Sequence, residues 1–197
     1  MPRPPRRIIP GELYHVVNRG NDKRVIFRED ADFERFVSLL IRGRQRADVD
    51  IHGFVLMSTH FHLLAQPMSS GALSSYMHWV TGCYACDLRK NTATVGLGHV
   101  FQRRFFSAPV EDRMGYLTVL GYIEGNAREA GIVQRAEDWK WCSLCDRRSP
   151  RSGLARYDAF DLPRNWMAMV NLAWPDFLRA LVEYDLSERQ RRRLGSG

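Results

Sequence analysis

Lysine is nearly missing from this chain: only three of its 29 basic residues are lysine (Lys23, Lys90 and Lys140), and the rest are arginine. With 22 acidic residues the formal net charge is +7. An anionic partner fits that excess, because a forked guanidinium suits phosphate better than an ammonium does; genomic base composition accounts for it equally well. Long apolar runs are missing too. No stretch reaches the roughly 18 to 20 apolar residues of a membrane span, and residues Met1 to Arg7 contain no apolar segment for a signal peptidase. The expectation is a cytoplasmic protein without a membrane partner. Cysteine is scarce at four residues, and without a sign of export the pairs Cys83/Cys86 and Cys142/Cys145 are not expected to form disulfides. What is present is an ordinary share of hydrophobic (45%) and charged (26%) residues over 197 positions. That excludes a disordered or collagen-like chain and fits one folded domain with a tail.

Thiolates at CxxC spacing can hold a structural zinc ion. Here 55 residues (87 to 141) separate the pairs, far more than the roughly 15 to 20 of a zinc ribbon. Cys83 and Cys86 also fall in a helical pattern, so small packed thiols are expected rather than zinc.

Residues 12 to 19 read as a strand, ended by the turn Gly20-Asn21-Asp22. From Asp30, the spacing of Phe33, Phe36, Val37 and Leu40 predicts a helix, with Asp30 or Asp32 placed to cap it. Residues 51 to 57 and 60 to 66 form a hairpin around Ser58-Thr59, the second strand halted by Pro67. A helix follows over 72 to 90, then a small-residue loop over 92 to 98 and a strand over 100 to 110. A last helix opens at Asp112, carries Tyr116, Leu117, Leu120 and Ile123, and runs to about Ala130. The order β-α-β-β-α-β-α predicts an α+β, ferredoxin-like split β-α-β sandwich: a mostly antiparallel sheet with helices on one face. The domain is expected over 1–148. Residues 149–197 form a partly helical extension with Trp166, Trp174 and an amphipathic segment through Leu178, Leu181, Val182 and Leu186. Its basic end, with Arg189 and Arg191 to Arg193, is expected to be mobile.

The sharpest chemical feature is His60-Phe61-His62. Period-two alternation puts both imidazoles on one face of a strand and Phe61 with Leu63 on the other, so two ligands for one metal stand on a rigid support. Alone the signal is weak, since about one chain in six of this composition carries such a triplet by chance. Tyr122 and Asn126 sharpen it. Four residues apart on a helix, they differ by about 40° and share a face, which packed beside the hairpin would offer an amide oxygen and a phenol.

Four segments, Tyr14 to Gly20, Leu56 to Leu64, Gly98 to Arg104 and Tyr122 to Asn126, occur in the order seen in the REP-associated tyrosine transposases, and residues 8 to 146 resemble that family. Its members belong to the HUH single-strand DNA transposases that use one catalytic tyrosine. The resemblance implies an enzyme that nicks and rejoins single-stranded or hairpin DNA, working as a monomer or homodimer, with the last helix as the catalytic helix. In it His60, His62 and Asn126 would hold a divalent Mg²⁺ or Mn²⁺, and Tyr122 would attack phosphorus to leave a 5′-phosphotyrosine. A phenol is a weak nucleophile, so charge neutralisation at the phosphate and in-line positioning are what such chemistry needs. Arg19, Gln102, Arg103 and Arg104, in matched segments, are the candidate DNA contacts, with the Arg3-Arg6-Arg7 arm beside them. The alternative is a module on the same fold that binds structured nucleic acid without cutting it.

The chain also departs from the family. Ala127 stands where proline is usual after the asparagine, Glu129 where arginine is, Ser58-Thr59 replaces Pro-Asn, and an Arg-Gly-Arg-Pro-type ending is lacking. Gly121 and Gly125 flank the tyrosine and cost the helix up to about 1 kcal/mol each relative to Ala. Such a pair would loosen the helix so that Tyr122 can swing, or mark a decaying copy.

Overall fold

Period-two alternation decides the architecture. In β1 (Leu13–Arg19), Tyr14 and Val16 are buried on one face, while His15 and Val17 stand half-buried on the other. β3 (His60–Pro67) repeats the pattern, with Phe61, Leu63 and Ala65 on the face of Tyr14 and Val16. The computed structural model describes residues 7–91, 98–102, 104–150, 152–155, 159–178 and 180–181. Arg3, Arg6, most of the expected 92–98 loop, Arg103 and the basic end from Val182 onward lie outside the described residues.

The four strands, completed by β2 (Val49–Met57) and β4 (Phe106–Val110), run in the order β2-β3-β1-β4 with every neighbour antiparallel. This is the expected α+β fold, except that helices cover both faces of the sheet rather than one. α1 (Asp30–Gly43) and α2 (Ala72–Asn91) cover one face; Phe36, Leu40, Tyr76 and Tyr84 pack there on Phe61 and Leu63. α3 (Arg113–Glu129) covers the other, burying Tyr116, Leu117, Leu120 and Ile123 against Val55 and Leu64. Asp112 starts α3 by accepting the Gly115 N–H at 2.7 Å, a cap worth about 1 kcal/mol. In α1 the N-cap is Glu29, and Asp32 reaches back to accept the Arg28 N–H.

Only 106–110 of the expected 100–110 strand joins the ladder. Phe101 makes a single bridge to Gly20, and the Gln102 N–H donates to the Arg19 carbonyl, so this stretch closes on the turn after β1. The outer edge of β2 is covered by bridges from Cys142 and Ala155, which among the described residues leaves β4, with Pro109 in it, as the open edge.

The described residues of the extension up to 181, together with 141–148 before them, pack on this body. α4 (Ser143–Arg148), α5 (Trp166–Val170) and the helical stretch at 174–178 lay Leu144, Trp166, Met169, Val170 and Phe177 on α3. Gly121 makes that possible: a Cβ there would meet the Phe177 ring at 2.1 Å. Its absence of a side chain is therefore a packing requirement. Gly121→Ala is expected to lower stability by about 1–2 kcal/mol, overpacking outweighing the gain in helix propensity. In a Phe177→Ala background the same change should be neutral or stabilising; equal cost in both backgrounds, read by thermal unfolding, would contradict the packing account. Among the described residues no helix is long and apolar enough to cross a membrane.

Candidate active site

β3 presents His60 and His62 toward the face that carries α3, with ring centroids 5.1 Å apart. Their partners in the ladder are Arg19 and Val17 of β1, and directly paired residues share a face. Each imidazole is oriented through Nδ1. His62 Nδ1 lies 3.0 Å from His15 Nε2 and His60 Nδ1 lies 3.0 Å from Thr59 Oγ1, which turns both Nε2 atoms into the remaining donor positions. His15 also stacks on His62 at 5.2 Å.

Burial favours the neutral rings. It pushes His62 down from 6.5 to about 3, with His15, His60 and the Arg19 guanidinium adding to the effect, and it lowers His60 and His15 as well. Neutral imidazole is the ligating form. The folded pKa of His62 is below the unfolded one, so the unfolded chain takes up its proton first as pH falls. The stability His62 contributes is complete above pH 6.5 and is lost progressively between 6.5 and about 3. The His62 ring resonances are accordingly expected to hold still between pH 8 and 4.5; titration midway through that range, seen by NMR, would contradict the burial account.

α3 supplies the phenol. Tyr122 is 41% exposed and sits edge-on to His62 at 5.4 Å and to His15 at 6.0 Å between ring centroids. Trp174 of the extension closes its other side at 5.9 Å. Asn126, one turn on, lines the same cavity of about 260 Å³ as Tyr122 and Trp174. Between them in sequence, Glu124 is wholly buried. It accepts from Ser143 Oγ (2.7 Å), Arg147 Nε and Nη2 (3.1 and 3.0 Å) and Trp166 Nε1 (2.7 Å), tying α3 to α4 and α5.

The structure thus brings His60, His62, Arg19 and Tyr122 together, with Asn126 beside Tyr122. Gln102 is exposed next to Arg19 through the backbone. Arg104 lines a separate cleft along β4, and Arg103 lies outside the described residues. Sequence reasoning missed His15, Glu124 and Trp174. For His15 the signal was parity: it has the alternation phase of Val17 and Arg19, but only the β1–β3 register places it on His62.

Among the described residues no group of three or more His, Cys, Asp or Glu is arranged around a common cation site. The candidate donors to a divalent ion are the two Nε2 atoms and the Asn126 amide oxygen; the imidazoles stand together, whereas Asn126 lines the cavity beside Tyr122 that the imidazoles do not line. All four cysteines are free; Cys142 and Cys145 are buried as expected, whereas Cys83 is half-buried and Cys86 exposed. Cys83 packs with the cluster on one face of the sheet and Cys142 and Cys145 with the cluster on the other.

The fold is similar to that of a REP-associated tyrosine transposase solved bound to a REP hairpin: 20% identity, TM-score 0.61, covering 83% of this chain and 94% of that one. A transposase structure from Deinococcus radiodurans is 12% identical over 62% of this chain and 95% of that one, at a TM-score of 0.43. No curated protein matches the chain. Residues 11–126 match the family model "Transposase IS200 like", a span that holds the imidazole strand, the tyrosine helix and the sheet between them, and the chain belongs to the IS200-like transposase family.

Proposed function

We propose that this transposase cuts and rejoins single-stranded DNA at hairpin-associated sites through a covalent link on Tyr122. The observation that carries the reading is the placement of the Tyr122 ring edge-on to His62 on a face bordered by Arg19. A divalent cation on His60, His62 and Asn126 would neutralise charge on the scissile phosphate. The chain's own residues do the rest. α3 and Trp174 fix the direction of the phenol, Arg19 receives phosphate, and the His15 and Thr59 bonds hold the imidazoles in one tautomer. The Tyr122 oxygen forms a bond to phosphorus while the phosphorus–O3′ bond breaks; the phenol gives up its proton and the departing 3′-oxygen gains one. Attack by a 3′-hydroxyl on the phosphotyrosine reverses the step without an external energy source. The kinship with a protein that binds a REP hairpin supports a hairpin as the recognised element, and the imidazole donors favour Mn²⁺ over Mg²⁺ in affinity.

The test uses labelled hairpin oligonucleotides with single-stranded flanks, with Mn²⁺, Mg²⁺ or chelator. Wild type is expected to form a covalent adduct only with metal. His62→Ala should lose cleavage by more than about a thousandfold yet bind the hairpin within about twofold. Loss of both would make His62 structural. Binding without an adduct on any hairpin would leave the non-catalytic binding module as the account of this chain.

A further inference from the structure

Val17 of β1 pairs with His62 on one side and with Phe106 of β4 on the other. Directly opposed residues in antiparallel strands point to the same face, so His62, Val17 and Phe106 form one row across the sheet. At about 4.8 Å between strands, the Phe106 Cα stands roughly 10 Å from that of His62. Along β4 the same face carries Val110, which packs under α3, then Ala108, then Phe106. Cover by α3 ends along this strand, and Phe106 is 63% exposed, the most exposed large apolar side chain among the described residues.

A lone exposed phenylalanine needs no explanation in itself. This one does, because of what surrounds it. It borders, at the β4 edge, a cleft of about 860 Å³ that takes in Arg7, Arg104, Glu12 and Glu111 and is otherwise lined from the opposite face of the sheet by Tyr14, Ser107 and Pro109. Arg19 stands on the same face two residues beyond the row, paired with His60. An aromatic side chain on the imidazole row and open to solvent, with Arg19 on the same face and Arg7 and Arg104 in the cleft around the β4 edge, matches an unpaired base whose phosphates run past arginine. A duplex would not expose a base to it. Resting on the reading of Tyr122 and the imidazoles as a DNA-cutting site, we propose that Phe106 is a stacking platform for an unpaired nucleobase of the strand being cut, immediately beside the scissile phosphate.

Affinity is measured by fluorescence anisotropy in chelator, so that no strand is cut, for three probes: a hairpin with a single-stranded flank, the same hairpin with abasic flank nucleotides, and a blunt hairpin. Phe106→Ala is expected to weaken the flanked hairpin about tenfold, and to change the abasic and blunt probes less than twofold. Phe106→Trp should bind the flanked probe as well as wild type or better. Phe106→Leu, which keeps the bulk without the ring, should behave like the alanine variant. Because the side chain is exposed, all three should fold as wild type does. Equal affinity of Phe106→Ala and wild type for the flanked hairpin overturns the platform, as does an equal loss on flanked and abasic probes. If wild type meanwhile forms its adduct on Tyr122, the platform alone has failed; if wild type shows neither adduct nor preference for the flank, the cutting reading has failed with it.

Discussion

Tyr122→Phe is expected to abolish the covalent protein–DNA adduct and to reduce strand cleavage by more than about a thousandfold, because it deletes the proposed nucleophile and leaves everything else in place. The ring keeps its edge contacts with His62, His15 and Trp174, so the variant should fold and bind the hairpin within about twofold of wild type. That separation makes the experiment decisive. A structural role for Tyr122 would show as lost stability and lost binding together. Residual cleavage at a tenth of the wild-type rate would point to water or another side chain as the attacking group.

The largest effect on stability is expected at Glu124, two residues after Tyr122 and so about 200° around α3 from it. Its carboxylate is fully buried, and the paired Arg147 side chain is only 13% exposed. Removing one partner of such a pair leaves the other charged and desolvated, and typically costs about 3–5 kcal/mol. Ser143 and Trp166 also lose their acceptor in Glu124→Ala. At about 2–4 °C per kcal/mol for a chain of this size, the melting temperature should fall by roughly 6–20 °C. Replacing both charges with apolar residues, Glu124→Met with Arg147→Met, should recover a large part of the loss. A fall of less than about 1 kcal/mol in the single variant would mean that the tie between α3 and the extension carries little of the fold's stability.

These two positions show what could be read from residues alone. That Tyr122 and Asn126 share a helix face was legible from their spacing, and that His60 and His62 share a strand face from period-two alternation, while a role for the phenol came only from the family resemblance. Both are local rules. The element order was legible for the same reason, through Phe33, Phe36 and Leu40 for α1 and the turn at Ser58-Thr59 for the hairpin. Glu124 was not, because a glutamate in a helix is by default a solvated one, and only its meeting with Arg147 and Trp166 from distant segments reverses that. His15 depended in the same way on strand register. Gly121 invited a reading in terms of helix flexibility, whereas its role rests on Phe177 lying 56 positions later in the chain. The extension read as accessory because its aromatic residues lack a period that names their target; packed, they form the outer layer over the tyrosine helix. The start of β4 was placed six residues early, since an extended, bridge-forming stretch and a true ladder strand share a composition.

The central claim, that Tyr122 is the residue that joins DNA, is tested most directly by locating the nucleotide on the protein. Wild type is incubated with a flanked hairpin and Mn²⁺, digested with nuclease and trypsin, and sequenced by tandem mass spectrometry. The peptide spanning residues 114–128 holds two tyrosines, Tyr116, fully buried, and Tyr122. The account predicts the added nucleotide mass on Tyr122. A nucleotide on any other residue, or cleaved DNA with no residue modified, would contradict it.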